Sequence, residues 1–124
     1  MSTFKIAFPT NGDLGLSDEL SEHFGHSSSF TVVSWNDDEK SVESIDIFPN
    51  QNHEQGGCMM PVMMLKNQGV EVVVLGGIGM RPLAAFWEQG VSTYHGASGT
   101  VKDNLDMYVA GELNQLTEST CSHH

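Results

Sequence analysis

A short and almost continuous apolar run, VEVVVL at residues 70–75, constrains the fold of this chain more than any other feature. Such a run predicts a strand that is covered on both faces, as in the parallel sheets of α/β proteins. A glycine-rich turn, GGIG at residues 76–79, follows it, and a helix with Pro82 near its start is predicted over 81–88. The segment is therefore typical of a strand, turn and helix at the centre of an α/β fold.

Apolar patterns predict four further strands and two further helices in the rest of the chain. The strands are predicted over residues 4–8, 30–35, 41–48 and 91–94, and the helices over 58–68 and 100–110. The strands at 30–35 and 41–48 are separated by a turn-forming Asn-Asp-Asp, which predicts an antiparallel hairpin. This order predicts an α/β fold with a five-stranded mixed sheet, an antiparallel hairpin and helices on its faces.

Length and composition predict a single domain. The chain has 124 residues, of which 39% are hydrophobic, so it can form one core but is too short for two domains. We expect the domain to span residues 1–113 and the polar residues 114–124 to form a flexible C-terminal tail.

Acidic residues strongly outnumber basic residues. The chain contains 16 Asp and Glu against 5 Lys and Arg, which gives a formal net charge of −11. Nucleic acids and anionic membrane surfaces are bound by clustered Lys and Arg, so we expect neither as a partner. The sequence has no apolar run near the roughly 20 residues of a membrane span, and its start lacks a signal-peptide pattern. A cytoplasmic location is the resulting expectation.

Two histidines, His23 and His26, flank a Phe-Gly pair in the polar stretch between the first two predicted strands. Neutral imidazole is among the commonest metal ligands, and the glycine permits a close approach of the backbone to a ligand. The spacing makes both histidines candidate metal ligands. The alternative is a polar loop in which both side chains are simply solvated.

Cys58 follows two glycines at the predicted start of a helix. Helix N-terminal amides stabilise a thiolate, so this cysteine is a candidate metal ligand or reactive thiol, the alternative being a small buried apolar side chain. His53, in the linker before it, is a further candidate ligand. Of the methionines that follow, at most Met60 is expected to approach a cluster bound near Cys58. The other methionines near it are expected to fill the core.

The turn at residues 76–79 opens a helix, and helix N-termini bind anions through their backbone N–H groups. Arg81 carries the only guanidinium of the chain. Gly77, Gly79 and Arg81 therefore form a candidate site for an anionic ligand such as an inorganic cluster, the alternative being a turn that only packs strand against helix. Pro82 occupies the third glycine position of the dinucleotide fingerprint, which disfavours a nicotinamide enzyme.

Three other histidines and the second cysteine give weaker indications. Cys121, His123 and His124 end the chain in CSHH, which is compatible with a metal-binding arm or with a disordered tail. His95 directly follows the last predicted strand, at residues 91–94, and is expected to be an ordinary surface histidine.

The segments SEHFGHSSSFTVV at 21–33 and VEVVVLGGIGMRPLAAFWEQGVSTYHG at 70–96, with a closing G-x-L at 111–113, resemble the dinitrogenase iron-molybdenum cofactor family. That family includes NifX-type carriers, the C-terminal domain of NifB-type proteins and orange-protein-like small proteins. The resemblance implies a ribonuclease-H-like α/β fold without nuclease activity, and non-catalytic binding of an anionic metal–sulfur cluster. It makes His23, which corresponds to the family's HFG histidine, the first candidate ligand.

Together, the motifs and the resemblance predict a protein that is not an enzyme. It would bind, carry or help to assemble an iron–sulfur or molybdenum-containing metal–sulfur cluster, with His23, His26, Cys58 and His53 as ligands. Its partners would be proteins that donate or accept the cluster, and the chain would be a monomer or a homodimer. A mononuclear copper or zinc module that uses Cys58 and the loop histidines is the alternative function.

Overall fold

The computed structural model describes residues 3–50 and 59–117, which contain six strands and three α-helices. The strands are β1 (Thr3–Thr10), β2 (Ser29–Asn36), β3 (Ser41–Pro49), β4 (Val70–Leu75), β5 (Ser92–His95) and β6 (Asn114–Gln115). The helices are α1 (Met59–Asn67), α2 (Met80–Glu88) and α3 (Val101–Val109). Two short 3₁₀ helices, Gly15–Ser17 and Phe24–His26, lie in the connection between β1 and β2. Within the described ranges, no helix has both the length and the apolar character needed to cross a membrane.

All six strands form one mixed sheet in the order β3-β2-β1-β4-β5-β6. Strands β1, β2 and β3 are antiparallel neighbours, whereas β4 and β5 run parallel to β1. The predicted α/β fold, mixed sheet and antiparallel hairpin are therefore confirmed. The predicted number of five strands is wrong, because Asn114 and Gln115 pair with β5 as a sixth strand. Two residues are too few to produce the alternating pattern by which a strand is predicted from sequence.

The fold also continues beyond residue 113, where the sequence predicts the domain to end. The backbone N–H of Leu116 donates a hydrogen bond to the carbonyl oxygen of Thr93 at 2.9 Å, and the Leu116 side chain joins the core. The first residues of the predicted tail therefore pack against β5, while residues 118–124 lie outside the described part of the chain.

Each central strand contributes to two hydrophobic cores, because successive side chains of a strand point to opposite faces of the sheet. Ala7, Val32 and Val73 pack on the face that is covered by α1 and α2. Their neighbours in sequence pack on the face that is covered by α3; these are Ile6, Phe8, Val33, Val72 and Val74. Burial on both faces explains the continuous apolar run of β4.

The direction of the strands determines where a site can form. Because β1, β4 and β5 are parallel, their carboxyl ends meet at one edge of the sheet. Asn11, Gly76 and Gly96 are the residues that directly follow these three strands. This carboxyl edge also receives the long connection that carries His23 and His26.

Candidate functional site

A cleft of about 820 Å³ opens at the carboxyl edge of the sheet. Its walls contain Asn11, Gly76 and Gly96, together with residues 19–23, His26, His95 and residues 97–99. In open α/β sheets, ligands bind outside the carboxyl ends of the parallel strands. The position of the cleft makes it the candidate site of this protein.

Three backbone hydrogen bonds tie the β1–β2 connection to the carboxyl edge. Ser21 N–H donates to the carbonyl oxygen of Pro9 at 2.8 Å, Leu20 N–H to Gly99 at 3.0 Å, and Phe24 N–H to Gly77 at 2.9 Å. The connection is thereby held against the ends of β1, β4 and the segment after β5. The polar stretch between the first two strands therefore follows a defined path along the cleft.

Phe24 anchors in the core the turn formed by residues 23–26, which we call the histidine turn. Its side chain is only 2% exposed, and its ring centroid lies 5.4 Å from those of both Phe30 and Phe86. With Phe24 directed inward, His23 and His26 on either side of it are exposed at the cleft. Their ring centroids are 6.3 Å apart and the ring planes are nearly perpendicular. The two histidines predicted from the sequence are thus brought together.

Serine hydroxyls satisfy the backbone of this turn. Ser21 Oγ donates to the carbonyl oxygen of His23 at 3.1 Å and accepts from its N–H at 3.4 Å. Ser27 Oγ donates to the carbonyl oxygen of Phe24 at 2.9 Å. Because short hydroxyl side chains hold the backbone, the imidazoles are not needed for that purpose and can contact a ligand.

His95 lines the cleft, although the sequence analysis does not select it as a site residue. It is the last residue of β5, it is exposed, and its imidazole lines the same cleft as His23 and His26. Its Nε2 lies 3.1 Å from the carbonyl oxygen of Gly76, which follows β4. The available signal was its place at the carboxyl end of a parallel strand, rather than any local motif.

The charged side chains of the cleft are acidic. Glu19 and Glu22 are exposed and line it, and no Lys or Arg occurs among the described residues of its lining. Imidazole and carboxylate groups are donors for zinc, copper and iron ions. Within residues 3–50 and 59–117, however, no group of three or more His, Cys, Asp or Glu side chains is arranged to hold a metal ion. A complete metal site would therefore require donors beyond those described or ligands that a bound group itself supplies.

The glycine-rich turn at residues 76–79 lies between the cleft and the start of α2. Gly76 lines the cleft, and Gly77 accepts the hydrogen bond from Phe24. Gly79 is the N-cap of α2, where no side chain caps the helix, and Arg81 is exposed in the first turn. Gly77, Gly79 and Arg81, the residues predicted to bind an anion, are thus placed beside the histidine turn but outside the cleft lining.

Cys58 and His53 lie outside the described residues, as do Cys121, His123 and His124, whereas Met60 lies in the first turn of α1. The described chain before this segment ends at Asn50, which is 4% exposed. Asn50 N–H donates to the carbonyl oxygen of Ser28 at 3.0 Å, and Asn50 Nδ2 donates to that of Ser27 at 2.9 Å. The chain therefore leaves β3 directly beside the residues that follow His26.

Asn104 on α3 holds the opposite wall of the cleft. Its side chain is fully buried; Oδ1 accepts from Ala97 N–H at 2.8 Å, and Nδ2 donates to the carbonyl oxygens of Ala97 and Thr100 at 3.0 Å. One amide side chain thus satisfies three backbone groups of the segment between β5 and α3. The wall is fixed by a residue that does not itself line the cleft.

Asn104→Ala is therefore expected to lower the free energy of unfolding by about 2–3 kcal/mol, because it leaves buried backbone groups without partners. Urea unfolding followed by circular dichroism measures the change. Asn67→Ala, at the end of α1 and exposed, is the matched control and is expected to change stability by less than about 0.5 kcal/mol. Equal unfolding midpoints for the two variants would contradict the role assigned to Asn104.

Known proteins resemble this chain along most of its length. The model of the dinitrogenase iron-molybdenum cofactor family matches residues 3–111. An uncharacterised protein of Methanocaldococcus jannaschii is 23% identical over 114 residues, which cover 90% of this chain and 91% of the relative.

Solved structures share the fold at low sequence identity. The apo form of the orange protein from Desulfovibrio gigas has a TM-score of 0.79 and 18% identity, covering 94% of this chain and 95% of that one. A protein from Thermotoga with a provisional NifB assignment has a TM-score of 0.74 and 22% identity, covering 97% and 99% of the two chains. At such identities the likeness concerns the fold alone.

Proposed function

This chain belongs to the dinitrogenase iron-molybdenum cofactor family, and we propose that it binds a metal–sulfur cluster in the cleft at the carboxyl edge of the sheet. The family is associated with carriage and assembly of cofactors rather than with catalysis. The cargo is an iron–sulfur or molybdenum-containing cluster, which the protein carries or helps to assemble without transforming a substrate. The protein is thus a carrier and not an enzyme.

One observation carries this proposal: His23 and His26 are exposed on a turn that is fixed by a buried phenylalanine. The core contacts of Phe24 and the serine hydrogen bonds hold the backbone in place before any ligand arrives. Preorganised imidazoles lose little conformational freedom when they bind a metal. His23 is the first ligand and His26 the second.

Cys58 and His53 complete the proposed ligand set. Asn50, which directly follows β3, donates hydrogen bonds to Ser27 and Ser28, close to His26. Helix α1 begins at Met59. The described chain on the β3 side of these two residues therefore borders the histidine turn. A thiolate would also supply the soft sulfur donor that copper(I), zinc and iron–sulfur species prefer.

An anionic cluster has to bind despite the net charge of −11. Direct metal bonds and local backbone donors offset this repulsion in our proposal. The uncapped start of α2, with Gly77, Gly79 and Arg81, lies behind the histidine turn and presents the positive end of a helix dipole. These three residues would stabilise the negative charge of the cluster without contacting its metal atoms.

The proposal also covers the fold classification, cellular location, oligomeric state and partners of the protein. The strand order β3-β2-β1-β4-β5 supports the ribonuclease-H-like classification that the family resemblance implies. We place the protein in the cytoplasm as a monomer or homodimer, with cluster donors and acceptors as its partners. Nucleic acids and membranes are not among the proposed partners, because the charge of the chain disfavours both.

Anaerobic reconstitution with iron, molybdate and sulfide, followed by gel filtration, metal analysis and visible absorption, tests the proposal. The unmodified chain should retain coloured cluster, and His23→Ala combined with Cys58→Ser should lose it. His23→Ala alone should weaken retention by about tenfold or more, as expected when one metal ligand is removed. Asn67→Ala, at the opposite end of the sheet, and Cys121→Ser are the matched controls and should retain the cluster.

Equal metal and sulfide retention by the double variant would contradict the cluster proposal. The cleft lining also favours a second candidate, a mononuclear copper or zinc module that uses Cys58 and the loop histidines. Its support is that the described lining offers imidazoles and two glutamates but no Lys or Arg, which suits a cation. Colourless protein with about one bound zinc, or with one copper and no sulfide, would favour this alternative.

A further inference from the structure

A second cavity, of about 550 Å³, lies on the face of the sheet that α3 covers. Its walls include Phe4 at the start of β1, Trp35 near the end of β2, Tyr94 on β5 and Tyr108 on α3. The carboxylate of Asp37 stands at the same cavity. This aromatic cavity shares no lining residue with the cleft that carries His23 and His26.

Topology concentrates these rings in one place. Phe4 and Trp35 are directly paired partners on β1 and β2, so they lie side by side on one face of the sheet. Tyr94 packs on the same face, where the C-terminal half of α3 brings Tyr108 against it. Trp35 is only 7% exposed and belongs to the core, whereas Phe4, Tyr94 and Tyr108 are half-buried and border the open cavity.

The rings are arranged at steep angles to one another. The ring centroids of Tyr94 and Tyr108 are 5.0 Å apart with an interplanar angle of 80°, and those of Phe4 and Tyr108 are 6.4 Å apart at 69°. Rings that meet at such angles can present more than one π face to a small group between them. Cages of this kind bind ammonium groups, because the face of an aromatic ring attracts a cation.

The electrostatic surroundings also favour a cation. Helix α3 ends beside the cavity and has no basic residue in its last turn, so the negative end of its dipole is not compensated there. Burial raises the pKa of Tyr108, and the nearby carboxylates of Asp37 and Glu71 raise it further. These two carboxylates add negative potential at the Tyr108 hydroxyl.

An ammonium group of the chain itself already pairs with the rim of the cavity. Lys40 Nζ donates to Asp37 Oδ1 at 2.8 Å, and Trp35 Nε1 lies 3.3 Å from the same oxygen. The Lys40 and Asp37 side chains are 62% and 47% exposed, so this ion pair is open to exchange with solvent. Exposed pairs of this kind are weak and can be displaced by a competing cation.

We propose that the aromatic cavity binds a small quaternary alkylammonium ligand, with its methyl groups against Trp35, Tyr94 and Tyr108 and with Asp37 as counter-ion. Quaternary ammonium combines apolar methyl groups with a diffuse positive charge, which matches rings and a carboxylate in one cavity. An anionic ligand would be repelled by Asp37 and by the helix end. The cavity volume lies within the range of small-molecule sites.

Titration of the full chain with choline, followed by the indole N–H resonances in proton–nitrogen NMR spectra, tests this proposal. Trp35 lines the aromatic cavity, whereas Trp87 lies on α2 outside it and provides an internal control. Choline and tetramethylammonium should shift the Trp35 resonance and leave that of Trp87 unchanged. The neutral isostere of choline, 3,3-dimethylbutan-1-ol, should bind at least about threefold more weakly.

Three variants separate the charge from the shape of the cavity. Asp37→Asn should weaken choline binding by about threefold or more, whereas Asp38→Asn, its neighbour outside the cavity lining, should not. Lys40→Gly preserves the positive φ of 55° at this position and should strengthen binding, because it removes the competing ammonium. Tyr108→Leu should abolish binding while Tyr108→Phe retains it, with the Trp87 resonance reporting on folding.

Three results would overturn the proposal. No Trp35 shift at about 50 mM choline would exclude a site with a millimolar dissociation constant. Equal affinity for choline and its neutral isostere would identify a purely apolar cavity. If Nα-acetyl-lysine amide bound more tightly than choline, the proposal would be wrong. The ligand would then be a lysine side chain of a partner protein and not a small quaternary ammonium compound.

Discussion

Replacement of Phe24 by alanine is expected to lower the free energy of unfolding by about 3–5 kcal/mol, which is typical for a large aromatic side chain lost from a core. Phe24 is 2% exposed and packs between Phe30 and Phe86 at ring-centroid distances of 5.4 Å. Since small domains are stable by about 5–15 kcal/mol, this change would remove a large part of the total. Urea unfolding monitored by circular dichroism measures it.

Two further substitutions distinguish the anchoring role of Phe24 from the proposed metal binding by His23. Phe24→Leu keeps most of the apolar volume and should cost less than about 1.5 kcal/mol. His23→Ala removes an exposed side chain and should change stability by less than about 0.5 kcal/mol while still weakening cluster retention. If Phe24→Ala left stability unchanged, Phe24 would not be the anchor, and the exposure of the two histidines would need another explanation.

The sequence was sufficient to predict those elements whose apolar pattern is long and regular. Strand β4 was predicted over 70–75 and spans Val70–Leu75, because a buried central strand has an apolar run that ends at a glycine turn. The sixth strand was not predicted, since its two residues pair with β5 only through the packing of the chain after α3. A long-range pairing of that length leaves no local signature.

For the site, the sequence predicted residues within one motif but not residues that meet in space. His23 and His26 are three residues apart, and the structure brings both to the cleft. His95 lines the same cleft, yet its sequence neighbours, Tyr94 and Gly96, give no indication of it. Its position in the cleft depends on which strand ends adjoin, and this is determined by the strand order rather than by local sequence.

Supporting residues were also beyond prediction, for a related reason. Asn104 satisfies three backbone groups of the wall after β5, and Gly96 has no room for a Cβ atom, which would meet Asn104 Oδ1 at 2.6 Å. Both requirements arise from close approach between segments that are distant in sequence. A glycine or an asparagine in a polar stretch is compatible with many turns, so its identity alone does not reveal such a contact.

Gly76→Ala is expected to destabilise the protein by about 3 kcal/mol and to disrupt cluster binding, because the new methyl group would collide with backbone atoms. An added Cβ would lie 2.5 Å from the carbonyl oxygen of Ser21 and 3.2 Å from the Cα of Glu22. Neither backbone atom can rotate away as a flexible side chain can, so the β1–β2 connection itself would have to move. His23, two residues after Ser21, would be displaced with it.

Gly79→Ala is the matched control, because it adds the same methyl group three residues later in the same turn. It also keeps the backbone N–H through which Gly79 is proposed to stabilise the cluster. There the nearest atom, Pro82 Cδ, is 4.0 Å away and φ is −78°, so an alanine fits and the loss should stay below about 1 kcal/mol. Urea unfolding and cluster retention should both separate the two variants. If Gly76→Ala retained cluster as well as Gly79→Ala does, the β1–β2 connection would be free to move without loss of binding. The fixed position of His23 would then not be what makes it a ligand, and binding would have to rest on donors that assemble only when the cluster arrives.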